Sequence, residues 1–289
     1  MNCLSCTHRR FEDCQHTLRP LAAMASNHPD GDYIDRHSHR RGQLLHSLSG
    51  VMITNCEHGN WYVPAGCAIW IPCGIDHGIR ISGPVQIRTV FVEANARASL
   101  PRRCEVIGVS SLLRAAIIAA VGLPLDYAPD SRAAHIMDLI LDELEIAPRQ
   151  STRLPMPRHA KLAHLCARLL AAPALPLSLE DAARGVNISS RTLTRFFHRE
   201  TGMSYTAWRR QSRILLSLPQ LAEGASILRV ALDHGYDSPS AFAAAFKRVL
   251  GVPPSVYARE DDGEPDGRPV DNRAAPALGR MPECSQIEQ

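Results

Sequence analysis

Two groups of residues have types and spacings that could do chemistry. The first is histidine-rich: His37 and His39 stand two apart, Gln43 follows four later, and His77 comes after Gly66, Pro72 and Gly74. Imidazoles two apart on an extended chain share one face, and three neutral imidazoles can hold Zn, Ni, Cu or Fe. His37 and His39 could therefore ligate one metal jointly, while Gln43 would be a neutral and weak ligand. The competing reading keeps them as packing and hydrogen-bonding side chains. The second group is cationic. If residues 190–199 are helical with Leu193, Phe196 and Phe197 inward, then Ser190, Arg191, Thr192, Thr194, Arg195 and Arg199 point outward. A polar, cationic face at the start of a helix is what the major groove of double-stranded DNA accepts.

Other chemistry has thinner support. Cys3-x2-Cys6 with Cys14 and His16 has zinc-like spacing but is short and isolated. His198 and His234 read as surface or capping side chains. Gly-rich phosphate loops, nucleophile elbows and paired-acid motifs do not appear.

The elements that position these residues change character along the chain. Residues 1–23 read as a disordered or non-native arm. From about 31 to 95, short β-type runs (Gln43–Leu48, Val51–Asn55, Asn60–Val63, Ala68–Ile71, Gly78–Ile81, Val85–Val92) alternate with Gly- and Pro-containing turns, as in a barrel or sandwich. Ser110–Val121 and Ser131–Glu145 have helical periodicity with serine caps. Three prolines within 148–157 mark a linker. Residues 158–259 are helical almost throughout, and the acidic tail 260–289 is expected to be disordered. The chain thus divides into a β-rich segment at 24–100, a helical segment at 101–148, a linker at 149–157 and a helical domain at 158–259.

Two helix-turn-helix units are legible in the helical half. In the first, Ala183 is small where helices cross, Val186-Asn187-Ile188 makes the turn, and Ser189 caps the second helix. In the second, Gly235 suits a helix end with positive φ, Ser238 caps, and Pro239 takes the first helical position. Between them, Thr206–Leu218 forms a helix with Trp208 and Leu215 inward and Arg209, Arg210 and Arg213 outward. At about 1.5 Å per residue it is roughly 20 Å long, suited to holding two units near one DNA turn apart.

Charge follows the same division. The net charge is +3, but residues 158–259 carry 14 Lys+Arg against 6 Asp+Glu, the first 157 residues are balanced, and the tail is acidic. A basic block beside a neutral one fits a polyanion partner for one half alone. With 45% hydrophobic and 21% charged residues the chain can bury a core. No run of eighteen apolar residues suggests a membrane span. Without a visible secretory signal, the nine cysteines read as reduced thiols, so a cytoplasmic protein is expected.

The helical half resembles the DNA-binding domain of the arabinose-regulator (AraC/XylS) family. The resemblance rests on Ser189-Ser190-Arg191-Thr192-Leu193-Thr194-Arg195-Phe196-Phe197, Gly202 with Trp208-Arg209, and Gly235-Tyr236-Asp237-Ser238-Pro239-Ser240-Ala241-Phe242 followed by Phe246-Lys247-Arg248 and Gly251-Val252-Pro253-Pro254. It implies DNA contacts from Ser190, Arg191, Thr192, Thr194, Arg195, Arg199 and Arg209, and from Ser238, Ser240, Ala241, Ala244, Lys247 and Arg248. Ala243 and Ala244 stand where relatives often carry a polar or basic pair, so the second unit is expected to hold phosphates through Lys247 and Arg248 while the first reads bases. The β-rich half resembles a cupin, whose two motifs match Gly31-x5-His37-x-His39-x3-Gln43-x6-Gly50 and Gly66-x5-Pro72-x-Gly74-x2-His77-x3-Ile81, with Gln43 and Ile81 departing from the usual Glu and Asn. That resemblance implies His37, His39, Gln43 and His77 as the ligands of a divalent metal (Zn, Ni, Cu or Fe). Together the two resemblances imply an α+β chain: an N-terminal cupin-like β-barrel with a helical extension, then an all-α domain with two helix-turn-helix units. The implied protein is a non-enzymatic, effector-controlled regulator of promoter DNA, a homodimer that also meets RNA polymerase, with a sensor at 24–100, a helical dimerisation segment at 101–148 and a DNA-binding domain at 158–259. Trp61, Trp70 and Phe91 read first as core aromatics and second as candidates for the implied effector pocket. The alternative is a metal-dependent cupin oxygenase or isomerase with a DNA-binding appendage.

Overall fold

The computed structural model describes residues 10–56, 59–150 and 152–257. Cys3, Cys6 and the tail 260–289 lie outside the described residues. In chain order the first half contains α1 (Phe11–His16), β1 (Leu21–His28), β2 (Tyr33–His37), β3 (Gly42–Ser47), β4 (Val51–Cys56), β5 (Gly59–Pro64), β6 (Cys67–Ile71), β7 (His77–Ser82), β8 (Val85–Val92), β9 (Glu105–Gly108), α2 (Ser111–Val121), α3 (Arg132–Ile146), β10 (Arg149–Gln150) and β11 (Arg153–Leu154). The second half contains α4 (Ala160–Ala171), α5 (Leu179–Gly185), α6 (Ser190–Thr201), α7 (Tyr205–Ala222), α8 (Ile227–Asp233) and α9 (Pro239–Leu250).

The strands form two antiparallel sheets, one ordered β1-β8-β3-β6-β9-β10 and the other β11-β5-β4-β7-β2. Alternation along each strand explains how they pack. Leu45, Met52, Val63, Ile69 and Ile79 point between the sheets and make the barrel interior. Their neighbours Leu44, Trp70 and Val90 point the other way, beneath Leu113 and Ile117 of α2 and Met137 and Ile140 of α3. On the second sheet the outward residues Val51, Ile53 and Tyr62 join the core of the DNA-binding half. Both faces of the central strands are therefore covered, which is why β3 and β6 are buried along their whole length.

Two expectations are corrected here. The arm expected at 1–23 is ordered from residue 10 onward: Cys14 is fully buried, and β1 begins at Leu21 and pairs with β8 along its length. The guanidinium of Arg41, itself without solvent exposure, donates to the carbonyls of Thr17, Arg19 and Pro20 and ties the segment down. Cys14 packs with Ala22 and Phe91, and so serves the core. The linker is also docked. β10 adds to β9 in one sheet and β11 adds to β5 in the other, so the chain crosses from sheet to sheet before it enters α4.

In the helical half, five helices begin at a serine whose Oγ accepts an N–H of the first turn: Ser178, Ser189, Ser204, Ser226 and Ser238. Gly202 and Gly251 end α6 and α9 in the left-handed conformation. α7 runs one turn beyond the expected Leu218, past Pro219, because Leu221 is anchored in the core.

Candidate functional site

The two helix-turn-helix units are α5–α6 and α8–α9. The first turn places Asn187 at φ +59°, and buried Ala182 and Ala183 allow close packing of α5 on α6. On α6, Leu193 and Phe197 are buried, while Arg191, Thr194, Arg195 and Arg199 are exposed. Arg199 stacks over Phe196 at 4.8 Å, and the Thr194 hydroxyl donates to the Ser190 carbonyl. Thr192 lies against the Ser189 cap through a 2.9 Å hydroxyl contact, so its side chain is partly committed to starting the helix. On α9, Phe242 and Phe246 are buried; Ser240, Ala241, Ala244, Lys247 and Arg248 are exposed, while Ser238 accepts from the Ala241 N–H. The exposed start of α9 thus offers small side chains, and its cations stand in the last turn.

Arg209 does not join this surface. Its guanidinium donates to the carbonyls of Leu175 and Leu177, in the loop between α4 and α5. Arg213 likewise donates to Pro173 and Gly235 carbonyls at 2.9 and 3.1 Å. These two side chains, expected outward, fasten loops to α7, because loop carbonyls with acceptor capacity to spare lie within their reach.

At one end of the barrel the three histidines come together. Ring centroids are 4.5 Å apart for His37 and His77, 5.3 Å for His39 and His77, and 5.8 Å for His37 and His39. One ring nitrogen from each lies within 4.8 Å of the others. Each Nδ1 contacts a backbone carbonyl: Asp35 for His37, Arg41 for His39 and Ile75 for His77. That pattern places the proton on Nδ1 and leaves the Nε2 lone pairs for a ligand. Burial is the main cause holding His39 below the usual imidazole range, and it pushes His77 down to about 4. Nε2 of His77 is buried without a protein partner. The residues present therefore fit a divalent ion held by three neutral imidazoles. Oε1 of Gln43 lies 2.9 Å from Nε2 of His39, and an amide oxygen accepts, so a metal on that nitrogen requires the Gln43 amide to turn away or present its NH2. Phe11 of α1, which sequence reasoning missed, covers the cluster with its ring 5.7 Å from His39 and 5.4 Å from Phe91.

The expected aromatic pocket is divided. Phe91 faces inward, 5.8 Å from His39. Trp70 faces out of the barrel, packs under α2 and α3 and donates Nε1 to the Pro101 carbonyl at 2.8 Å, so it lines no interior pocket. Trp61 lines a separate cavity of about 370 Å³ together with Cys56, Cys104 and the cations Arg102, Arg149 and Arg153. Glu105 pairs with Arg149 at 2.7 Å and Arg103 at 3.1 Å on its rim. A larger cavity, about 840 Å³, lies between the barrel turns at Gly50 and Pro84 and the end of α7 at Leu218 and Glu223.

Comparison with known proteins accounts for both halves. Residues 21–165 match the AraC-like ligand binding domain and residues 182–260 match a helix-turn-helix domain. The chain is 30% identical over 221 residues to the HTH-type transcriptional regulator NimR of Escherichia coli K12, covering 76% of this chain and 81% of that protein. It is 32% identical over 131 residues to the HTH-type transcriptional regulator RipA of Corynebacterium glutamicum, covering 45% of this chain and 38% of RipA. Among solved structures, ToxT from Vibrio cholerae aligns over 83% of this chain and 98% of its own, at 11% identity and a TM-score of 0.35. The chain belongs to the AraC-like family of helix-turn-helix transcription regulators, with an N-terminal ligand-binding domain and a C-terminal DNA-binding domain.

Proposed function

We propose that α6 reads base edges in promoter DNA while α9 chiefly anchors the phosphate backbone. The observation that carries this reading is the contrast between the two exposed faces. Arg191 and Arg195 stand exposed on the first half of α6, and arginine can make bidentate contacts to guanine. The corresponding stretch of α9 presents Ser240, Ala241 and Ala244. Alanine offers a methyl contact at most, and Lys247 and Arg248 suit phosphates. Binding-site selection from a random duplex pool tests it. The Arg195→Ala variant should lose preference at one position of the site, at a cost of about 1–3 kcal/mol. Lys247→Ala should weaken all sequences alike. The reverse pattern would overturn the assignment.

The barrel is proposed to take a small effector at the end where Phe11, Phe91 and the histidines meet, with one divalent ion on His37, His39 and His77. The convergence of the three imidazoles, with Nε2 of His77 buried without a protein partner, supports the ion. When bound, such an ion supplies a Lewis-acidic anchor for an effector oxygen or nitrogen; the three imidazoles orient it, and Phe11 and Phe91 exclude water. The relatives compared are transcription regulators, which supports a sensing site in preference to a reaction. Exposed Leu112 and Ile118 on α2 give an apolar face for a second copy of the chain. The protein is further proposed to act in the cytoplasm and to meet RNA polymerase at the promoter.

A further inference from the structure

Two cysteines 48 positions apart in the sequence meet inside the barrel, with their sulfurs 3.7 Å apart. Cys56 ends β4 in one sheet, and Cys104 stands immediately before β9 in the other. Both are nearly buried, yet both line the 370 Å³ cavity ringed by arginines. A small reagent entering that cavity therefore reaches the pair. The sulfurs need to approach by less than about 2 Å to reach the roughly 2.05 Å of a disulfide. Cys104 is held below the usual thiol range, first by its hydrogen bond with Cys56 and also by the Arg153 guanidinium, with burial opposing. Thiolate is the nucleophilic form.

The position of the pair matters as much as its chemistry. The linker strands β10 and β11 border the same cavity through Arg149, Gln150 and Arg153. β10 is bound to β9, the strand Cys104 precedes, and β11 is bound to β5, the hairpin partner of the strand Cys56 ends. A bond between the sulfurs would join the two sheets where the linker crosses from one to the other. Beyond that crossing, the Arg153 carbonyl accepts from Gln211 and the Pro155 carbonyl from Trp208, both on α7.

We propose that Cys56 and Cys104 form a dithiol–disulfide switch that responds to hydroperoxides and restrains the linker leading to the DNA-binding half. The Cys104 thiolate attacks a peroxide oxygen, the O–O bond breaks, and the departing hydroxide takes a proton to become water. The resulting sulfenic acid on Cys104 is attacked by the Cys56 sulfur. The S–S bond forms, the S–O bond breaks, and the hydroxyl leaves with the Cys56 proton as a second water. Two thiols and one hydrogen peroxide thus become one disulfide and two waters; sulfur is oxidised and peroxide oxygen reduced.

The test treats the reduced full-length chain with one equivalent of hydrogen peroxide, blocks remaining thiols by alkylation and maps the peptides. The expected product is a Cys56–Cys104 cross-linked peptide, lighter by two hydrogen masses, formed ahead of oxidation at the exposed Cys73 and reversed by dithiothreitol. Hydrogen exchange at residues 149–155 should slow in the oxidised wild type and stay unchanged in peroxide-treated Cys104→Ser and Cys56→Ala. Oxidation at Cys73 alone, or a cross-link between any other pair, would overturn the proposal. So would a Cys56–Cys104 disulfide that leaves linker exchange unaltered. The wild-type peptide map and exchange decide the question even if a variant fails to fold.

Discussion

The indole Nε1 of Trp208, in the middle of the DNA-binding half, donates to the carbonyl of Pro155 in the linker at 2.7 Å. Trp208 is fully buried, and Phe197 of the first recognition helix packs edge-on against it at 5.8 Å. One side chain therefore touches both the segment arriving from the barrel and α6, the helix proposed to read DNA. Replacing it with phenylalanine keeps most of the apolar volume and removes the donor. The buried Pro155 carbonyl would lose its partner, at a cost of about 1–3 kcal/mol. Urea unfolding of Trp208→Phe should show a lower midpoint by that amount; an unchanged midpoint would mean the bond does not hold the linker.

Gly235 ends α8 at φ +73°, and a Cβ there would stand 2.7 Å from Nη2 of Arg213 and 2.9 Å from Cα of Ala174. The left-handed backbone alone costs a substituted residue about 1–2 kcal/mol, and the Ala174 backbone cannot move aside as a side chain could. Gly235→Ala should destabilise by at least that much and displace Arg213 from the Gly235 carbonyl. Thermal unfolding at wild-type stability would show that this close approach is unimportant.

The histidine cluster leads to a prediction about metal. Purified protein loaded with Zn²⁺ and dialysed should keep about one ion per chain, as three imidazoles with oriented second partners are enough for binding. His77→Ala should lose that ion, whereas Gln43→Ala should retain it and free Nε2 of His39. Elemental analysis checks both; equal metal content in wild type and His77→Ala would refute the site.

His46 and His234 are buried, and burial is the first cause lowering both below the usual imidazole range. Each is neutral in the folded protein and takes up a proton more readily when unfolded. Their contribution to stability is thus complete above the unfolded value near 6.5 and is lost as pH falls below it toward the folded value. The slope is bounded by about 1.4 kcal/mol per pH unit for each histidine. Unfolding free energies at pH 5.5 and 7.5 should differ less for His234→Gln than for wild type. An identical difference would remove His234 from the account.

Much of this was legible in local patterns. Strands β3 to β8 fall within a residue or two of the β-type runs, and the caps Ser110, Ser131, Ser189 and Ser238 start helices as expected. β1 is hidden because Leu21-Ala22-Ala23-Met24-Ala25 has neither β-branched residues nor alternation. Trp70 packs in a core, as first read, but which face of its strand it takes is not legible, because both faces of β6 are buried and period-two hydrophobicity gives no parity. Arg209 and Arg213 look like surface cations in the sequence, and only the fold brings loop carbonyls to them. The meeting of Cys56 with Cys104, and of Phe11 with His39, depends on sheet closure and has no local signal. The three histidines were found because their spacing was informative, while the role of Gln43 as a partner of His39 required the geometry.

Specific promoter binding with base readout led by α6 is tested most directly by genome-wide mapping of the bound protein in its native cells. Discrete peaks that share one motif are expected, with the motif degenerate at one position for Arg195→Ala. Uniform background occupancy by the wild-type chain, or an unchanged motif for Arg195→Ala, would contradict it.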